Sequence, residues 1–178
     1  METATGDAAQ SGQTFTVKVT DVNREDIDAG AATEGLVMIA SGAADMTLVG
    51  GAGDDYLSGA TGDDTLRGGD GNDRIHDNQG RDVIEGGSGD DDLRGGTGAH
   101  EFLFAPGHGN DTISYFGHFR NAIVVSAALV GTATNGAEVI AMFAVTSSGV
   151  AVPDFGSETI TFSNLTHFDG LADNIFFA

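Results

Sequence analysis

A period of nine residues constrains this chain more than any other feature. Residues 50–103 read GGAGDDYLS, GATGDDTLR, GGDGNDRIH, DNQGRDVIE, GGSGDDDLR and GGTGAHEFL. All six units carry Gly at position 4, five carry Asp at position 6, and all six carry an apolar residue at position 8: Leu57, Leu66, Ile75, Ile84, Leu93 and Phe102. Weaker copies flank them. Residues 41–49 keep Gly42 and Leu48 but place Met46 where Asp belongs. Residues 106–113 keep Gly107, Gly109, Asp111 and Ile113, after two extra residues, Phe104 and Ala105.

A strict period of this kind means stacked copies of one small unit. The first six residues of each nine read as a turn, since so tight a reversal needs positive φ, which Gly adopts without Cβ strain. The last three read as a strand. Its neighbouring side chains face opposite ways, so position 8 points inward and positions 7 and 9 outward. The outer positions are mostly polar, as in Thr65/Arg67, Arg74/His76 and Asp92/Arg94. One nine reverses the chain once, so 18 residues make one coil. Stacked coils give an all-β fold, two parallel sheets around a thin apolar core. A helix is excluded, because Gly costs about 1 kcal/mol per residue relative to Ala.

Composition narrows the function. The net charge is -20, from 27 acidic and 7 basic residues. Nucleic acids and anionic membrane surfaces both require Lys and Arg, so neither is an expected partner. Disorder is not the explanation, since 40% of residues are hydrophobic. The acidity is concentrated: residues 50–100 hold eleven Asp, one Glu and 15 Gly. With no Cys, disulfides cannot clamp the fold, and metal is the obvious substitute. Residues 1–12 lack the basic and apolar regions of a secretory signal and read as disordered. No apolar run approaches the length that spans a bilayer.

The chain divides into a lead over 1–35 with one strand within Gln13–Thr20, a roll over 36–115 opening at Leu36–Ala40, and a β-rich cap over 116–178. The cap is expected because an open roll end exposes apolar residues and strand edges. Its candidate strands are Ala122–Val125, Glu138–Val145, Val150–Val152, Thr159–Phe162 and Ile175–Phe177, with a hairpin turn at Ser147-Ser148-Gly149.

Tandem GGxGxDxUx resembles the RTX (repeats-in-toxin) calcium-binding family, and six consecutive in-register copies make the likeness specific. The resemblance implies a right-handed parallel β-roll (a β-solenoid) that binds Ca2+, an ion that takes six to eight hard oxygen ligands. In the family, an ion lies between turns 18 residues apart. The upper turn offers the carbonyls of positions 2 and 4 and its Asp, and the lower turn those of positions 1 and 3 and its Asp. Carried over, three sites are expected: Gly51, Gly53, Asp55, Gly68, Asp70 and Asp73; Gly69, Gly71, Asp73, Gly86, Ser88 and Asp91; and, on the opposite edge, Ala60, Gly62, Asp64, Asp77, Gln79 and Asp82. Three weaker positions bring the possible total to about six. One lacks an acid at Met46. One has His100 for its second Asp and is expected to be weak or water-filled, imidazole being a poor Ca2+ ligand. One joins Asp91 to Asp111 across the insertion. Asn78 should tolerate the positive φ its turn requires.

Other residues read blandly. The position-5 acids Asp54, Asp63 and Asp90 read as solvated. His76, His108, His118 and His167 read as surface or loop histidines. His100-Glu101 lacks the second His of a zinc-protease motif, and GGSG around Ser88 is not GxSxG, so no enzyme is expected. VPDFGSETITF (152–162) and ADNIFFA (172–178) resemble the tails of RTX proteins exported by ABC-type (type I) machinery. The expected function is a secreted, extracellular module that folds on Ca2+ and serves a larger toxin, protease or adhesin. The alternative is a module binding an anionic polysaccharide, like the R-modules of alginate epimerases, through outward Arg67, His76 and Arg94.

Overall fold

The computed structural model describes residues 15–18, 26–116, 121–130, 143–145, 151–153, 158–163 and 171–178. Residues 1–12, the 147–149 turn, His118 and His167 lie outside them. The strands are β1 (Phe15–Lys18), β2 (Ile27–Asp28), β3 (Leu36–Ile39), β4 (Thr47–Gly51), β5 (Tyr56–Thr61), β6 (Thr65–Asp70), β7 (Arg74–Gly80), β8 (Val83–Ser88), β9 (Asp92–Arg94), β10 (Thr97–Gly98), β11 (Glu101–Phe104), β12 (Asn110–Ser114), β13 (Ala122–Val125), β14 (Phe143–Val145), β15 (Ala151–Pro153), β16 (Thr159–Phe162) and β17 (Ile175–Phe177). A four-residue helical turn, Ala127–Val130, and a 3-10 turn, Leu171–Asn174, complete the described residues.

Successive strands alternate between two sheets. One runs β1-β3-β5-β7-β9-β12-β16, with β10 beside β7, and the other runs β17-β13-β11-β8-β6-β4-β2. Every pairing within them is parallel, so the fold is a β-solenoid. The register places Leu57 beside Ile75 and Ile75 beside Leu93, and in the other sheet Leu48 beside Leu66 and Leu66 beside Ile84. All six expected position-8 residues are fully buried, as are Leu48 and Ile113. Burying each such side chain contributes roughly 1.5–3 kcal/mol.

The central strands β4 to β8 are longer than three residues. They run into the turns because the turns stack in register too: Gly51 pairs with Gly69, Gly69 with Gly87, and Asp70 with Ser88. Gly69 and Gly71 sit at φ 121° and 124°, and a Cβ on either would collide with the carbonyl of Gly51 or Gly53 one coil earlier. Asn78 takes its expected positive φ, 72°.

Both ends of the solenoid differ from a simple lead and cap. β1 and β2 pair with β3 and β4 in the same two sheets. At the other end β13, β16 and β17 extend both sheets in parallel, whereas β14 and β15 form a separate antiparallel pair. Phe116 fills the interior there, with ring centroids 5.8 Å from Phe102 and 5.2 Å from Phe162.

Candidate metal centres along the turn edges

The alternation of strands puts the turns on two edges. Turns 50–55, 68–73, 86–91 and 106–111 share one; turns 41–46, 59–64, 77–82 and 95–100 share the other. On both, the position-6 side chains are buried and divide their two oxygens between two tasks. Each Oδ1 accepts a hydrogen bond from a main-chain N–H one coil earlier: Asp55 from Leu36 (2.6 Å), Asp64 from Met46 (2.9 Å), Asp73 from Asp55 (2.8 Å), Asp82 from Asp64 (2.7 Å) and Asp91 from Asp73 (2.8 Å). Each Oδ2 of these five residues is buried with no hydrogen-bond partner. Such an atom costs free energy unless something absent from the protein satisfies it.

The space at these oxygens is a cradle. A Cβ on Gly68 would strike Asp73 Oδ2 and the Gly86 carbonyl; one on Gly50, Asp55 Oδ2 and the Gly68 carbonyl. On the other edge a Cβ on Gly59 would meet Asp64 Oδ2 and the Asp77 carbonyl. Position 1 is thus Gly because an orphaned carboxylate oxygen and a carbonyl of the next coil converge over it. The donors are all hard oxygens, which fits Ca2+.

The electrostatics agree. Burial, with smaller additions from neighbouring carboxylates, pushes the Asp55 and Asp64 carboxyls up to about 6 and those of Asp73 and Asp91 up to about 7, against the main-chain hydrogen bonds they accept. A carboxylate that water would ionise near 3.8 is therefore costly to keep charged here without a cation.

The profile of the RTX calcium-binding nonapeptide repeat, four copies long, matches residues 47–75 and 67–99. This segment thus resembles the RTX calcium-binding nonapeptide repeat in sequence and forms a parallel β-roll in structure. Among solved structures the fold is similar to the extracellular lipase LipA from Serratia marcescens, with a TM-score of 0.52, 13% identity and 89% of this chain covered. The match takes in 41% of that chain, so this sequence spans less than half of it. No curated protein matches the sequence.

The remaining expected ligands lie on the RTX turns as follows. Gly51, Gly53, Gly62, Gly69 and Gly71 direct their carbonyls at the glycine one coil later. Asp70, Gln79 and Ser88 are exposed at position 3. The Gln79 and Ser88 carbonyls already accept turn-to-turn hydrogen bonds, from Gly62 N (3.1 Å) and Gly71 N (2.8 Å). Ala60 is held at φ 98°, a conformation that strains a residue with a Cβ.

Several residues behave otherwise than the repeat suggests. Asp111 keeps the ladder bond, accepting from Asp91 N at 2.9 Å, but its Oδ2 is taken by His108 Nδ1 at 2.7 Å. His108 is not a surface histidine; it is buried, with its ring 5.2 Å from that of Phe104 and its Nε2 3.6 Å from Glu158 Oε2. The position-5 residues are exposed but not merely solvated. Asn72 N, Arg81 N and Asn110 N donate to Asp54 (2.8 Å), Asp63 (2.8 Å) and Asp90 (2.9 Å). This second ladder points toward the later coil, where the position-6 ladder points toward the earlier one. The alternating DD pair in the repeat is its signal.

The slot at His100 is lined by buried side chains. His100 is fully buried, with Nδ1 3.0 Å from Asp77 Oδ2 and 3.1 Å from Asp82 Oδ2. Burial opposes its charge, but the Asp82 and Asp77 carboxylates outweigh it and hold the imidazole above its ordinary value. Burial pushes Asp77 up to about 7, partly offset by His100. Asp77 thus takes part through its side chain, not through its carbonyl alone. Its signal in the sequence is an Asp at position 1 of the turn preceding a position-6 His.

Proposed function

We propose that this chain is a calcium-triggered folding module that orders outside the cell and supports export, by an ABC-type (type I) route, and stability of a larger protein. The observation that carries the reading is the row of buried Oδ2 atoms without partners on both edges. Until cations fill those positions, the turns set buried carboxylates one above another, and the core between the sheets is one side chain deep. Metal-binding free energy is then folding free energy. Extracellular modules of modest affinity are tuned to millimolar calcium, so the chain would pass an export channel unfolded and order on arrival. The strand Ile175–Phe177, which matches the expected export tail, pairs with β13; ordering the roll would order the tail with it.

The outward basic residues favour this reading over the polysaccharide one. Arg67 lies on β6 in one sheet, while His76 and Arg94 lie on β7 and β9 in the other. Arg67 contacts Glu85 at 3.0 Å and Arg94 covers the Tyr115 ring at 4.4 Å, so no single basic stripe forms.

Calcium titration followed by far-UV circular dichroism tests the proposal, with a coil-to-β transition that chelator reverses as the expected result. An apo chain already folded at neutral pH would overturn the switch. In the same protein Asp73→Ala should lower calcium stoichiometry by two ions and Asp55→Ala by one, because the expected register makes Asp73 a ligand of two sites and Asp55 of one; equal losses would overturn the ligand register.

A further inference from the structure

The slot between turns 77–82 and 95–100 departs from its neighbours at two places at once. Position 1 is Asp77 where turns 50–55, 59–64, 68–73 and 86–91 have Gly, and position 6 of the following turn is His100 where they have Asp. The two departures meet in space. His100 Nδ1, Asp77 Oδ2 and Asp82 Oδ2 converge, with N···O separations of 3.0 and 3.1 Å and all ligand atoms within 4.8 Å of one another. All three side chains are fully buried. Despite the short separations, both Asp77 oxygens, Asp82 Oδ2 and both His100 nitrogens lack a hydrogen-bond partner. The three groups meet at ion-pair distance, yet their polar atoms make no well-directed hydrogen bond.

We infer that this slot binds a divalent transition-metal ion of the zinc type through His100, Asp77 and Asp82, in place of the calcium of its neighbours. The donor set differs in kind. Imidazole nitrogen suits zinc, nickel, copper and iron, whereas calcium selects hard oxygens in larger number. Size agrees: bonds of about 2.0–2.2 Å place neighbouring tetrahedral ligands about 3.3 Å apart, near the separations already present. Position 1 carries the third ligand because the Cβ it brings enters the space that the glycines leave to an ion. Asp82 then serves two slots, its Oδ1 accepting from Asp64 N and its Oδ2 facing His100. The inference rests on the proposal above only in taking the adjoining slots to be calcium-filled.

The test uses the full chain saturated with Ca2+. Zn2+ is titrated in by calorimetry, and Co2+ is followed by its visible absorption. One equivalent of Zn2+ should bind without releasing calcium, and Co2+ should develop a nitrogen-containing low-symmetry spectrum. His100→Ala should weaken Zn2+ binding at least about 100-fold, beyond what loss of an outer-shell partner costs. Asp77→Gly restores the repeat residue and leaves every histidine in place; it should do the same, with calcium-induced dichroism recorded beside it as the control for folding. Asp77→Gly combined with His100→Asp should lose zinc and gain one calcium. Absence of a zinc equivalent in the calcium-loaded protein would overturn the inference, leaving a histidine–carboxylate contact alone. So would zinc binding unchanged in Asp77→Gly, which decides the matter even where His100→Ala does not fold. Failure of the calcium switch would register separately, as absence of calcium uptake before any zinc is added.

Discussion

Acid should substitute for calcium in ordering this roll. Burial moves Asp73 from 3.8 up to about 7 and Asp91 likewise. Keeping one such group ionised in the fold costs about 4 kcal/mol, and the smaller rise at Asp55 and Asp64 about 3 kcal/mol each. Asp73 and Asp91 act on each other, so these figures do not simply add. Even one of them is comparable to the low end of the roughly 5–15 kcal/mol by which domains are stable. The metal-free chain should therefore be unfolded at neutral pH. The sign follows from proton binding. The folded-state values lie above those of the unfolded chain, so between about pH 4 and pH 7 the folded state holds more protons, and stability falls as pH rises through that window. Lowering the pH of metal-free protein from about 8 to about 5 neutralises the stacked carboxylates and should restore β structure, still above the pI of 4.1. With calcium present the dependence reverses, since protons compete with the ion for the same oxygens.

Far-UV circular dichroism of chelated, desalted protein across that range, beside a calcium-saturated sample, reads the effect. The apo sample should pass from coil to β on acidification, and the calcium sample should be β at the alkaline end. An apo spectrum that stays coil throughout would refute the idea that the buried carboxylate charges are what unfold the chain. An apo spectrum already β at the alkaline end would refute the cost assigned to the buried charges.

Three further outcomes follow from single residues. Ala60→Gly should stabilise the calcium-bound roll by roughly 1 kcal/mol, as a shift in denaturant midpoint, because Ala60 is held at φ 98°, where a Cβ costs about 1–3 kcal/mol. Gly68→Ala should abolish one calcium by equilibrium dialysis, since its Cβ would occupy the position beside Asp73 Oδ2 and the Gly86 carbonyl; unchanged stoichiometry would place the ion elsewhere. Leu66→Ala, at a fully buried position, should cost about 2–5 kcal/mol in urea denaturation with calcium present.

The centre of the fold was legible because period and burial coincide there. Position 8 recurs every nine residues, and each of those side chains is buried. Legibility ends where the spacing changes. In one sheet the partner of Leu93 is Ile113, and that of Ile113 is Phe162; in the other, Phe102 meets Ile123 and Ile123 meets Ile175. Intervals of such different lengths carry no period, so the continuation of both sheets past residue 115 was hidden and read as a separate cap. The acid-lined turns on both edges were legible, yet the division of labour between Oδ1 and Oδ2 was not, because one letter stands for both oxygens. His108 was misread for a related reason. Its burial depends on Phe104, Asp111 and Glu158, and Glu158 is distant in sequence.

That division of labour explains how the solenoid can continue where its metal sites fade. The Oδ1 contact to the earlier coil needs only an acceptor, and it persists where the ion-facing oxygen is otherwise engaged. Asp111 still accepts from Asp91 N although its Oδ2 belongs to His108, and Asn121, with a neutral amide, accepts from His100 N at 3.0 Å. Coil stacking is thus separable from the ion binding proposed for the same position. At the N-terminal end, Met46 supplies no acceptor, but Asp64 still receives the Met46 N–H, so stacking survives the loss of one acid. At the C-terminal end Phe102, Phe116 and Phe162 pack together where the coil interval lengthens. Calcium should then matter most at Asp55, Asp64 and Asp73, whose buried ion-facing oxygens contact no histidine among the described residues. Chelation should accordingly release the central coils first, with hydrogen exchange rising at 55–91 before it rises at Ile113 and Phe162; uniform loss of protection would mean that the aromatic end has no stability of its own.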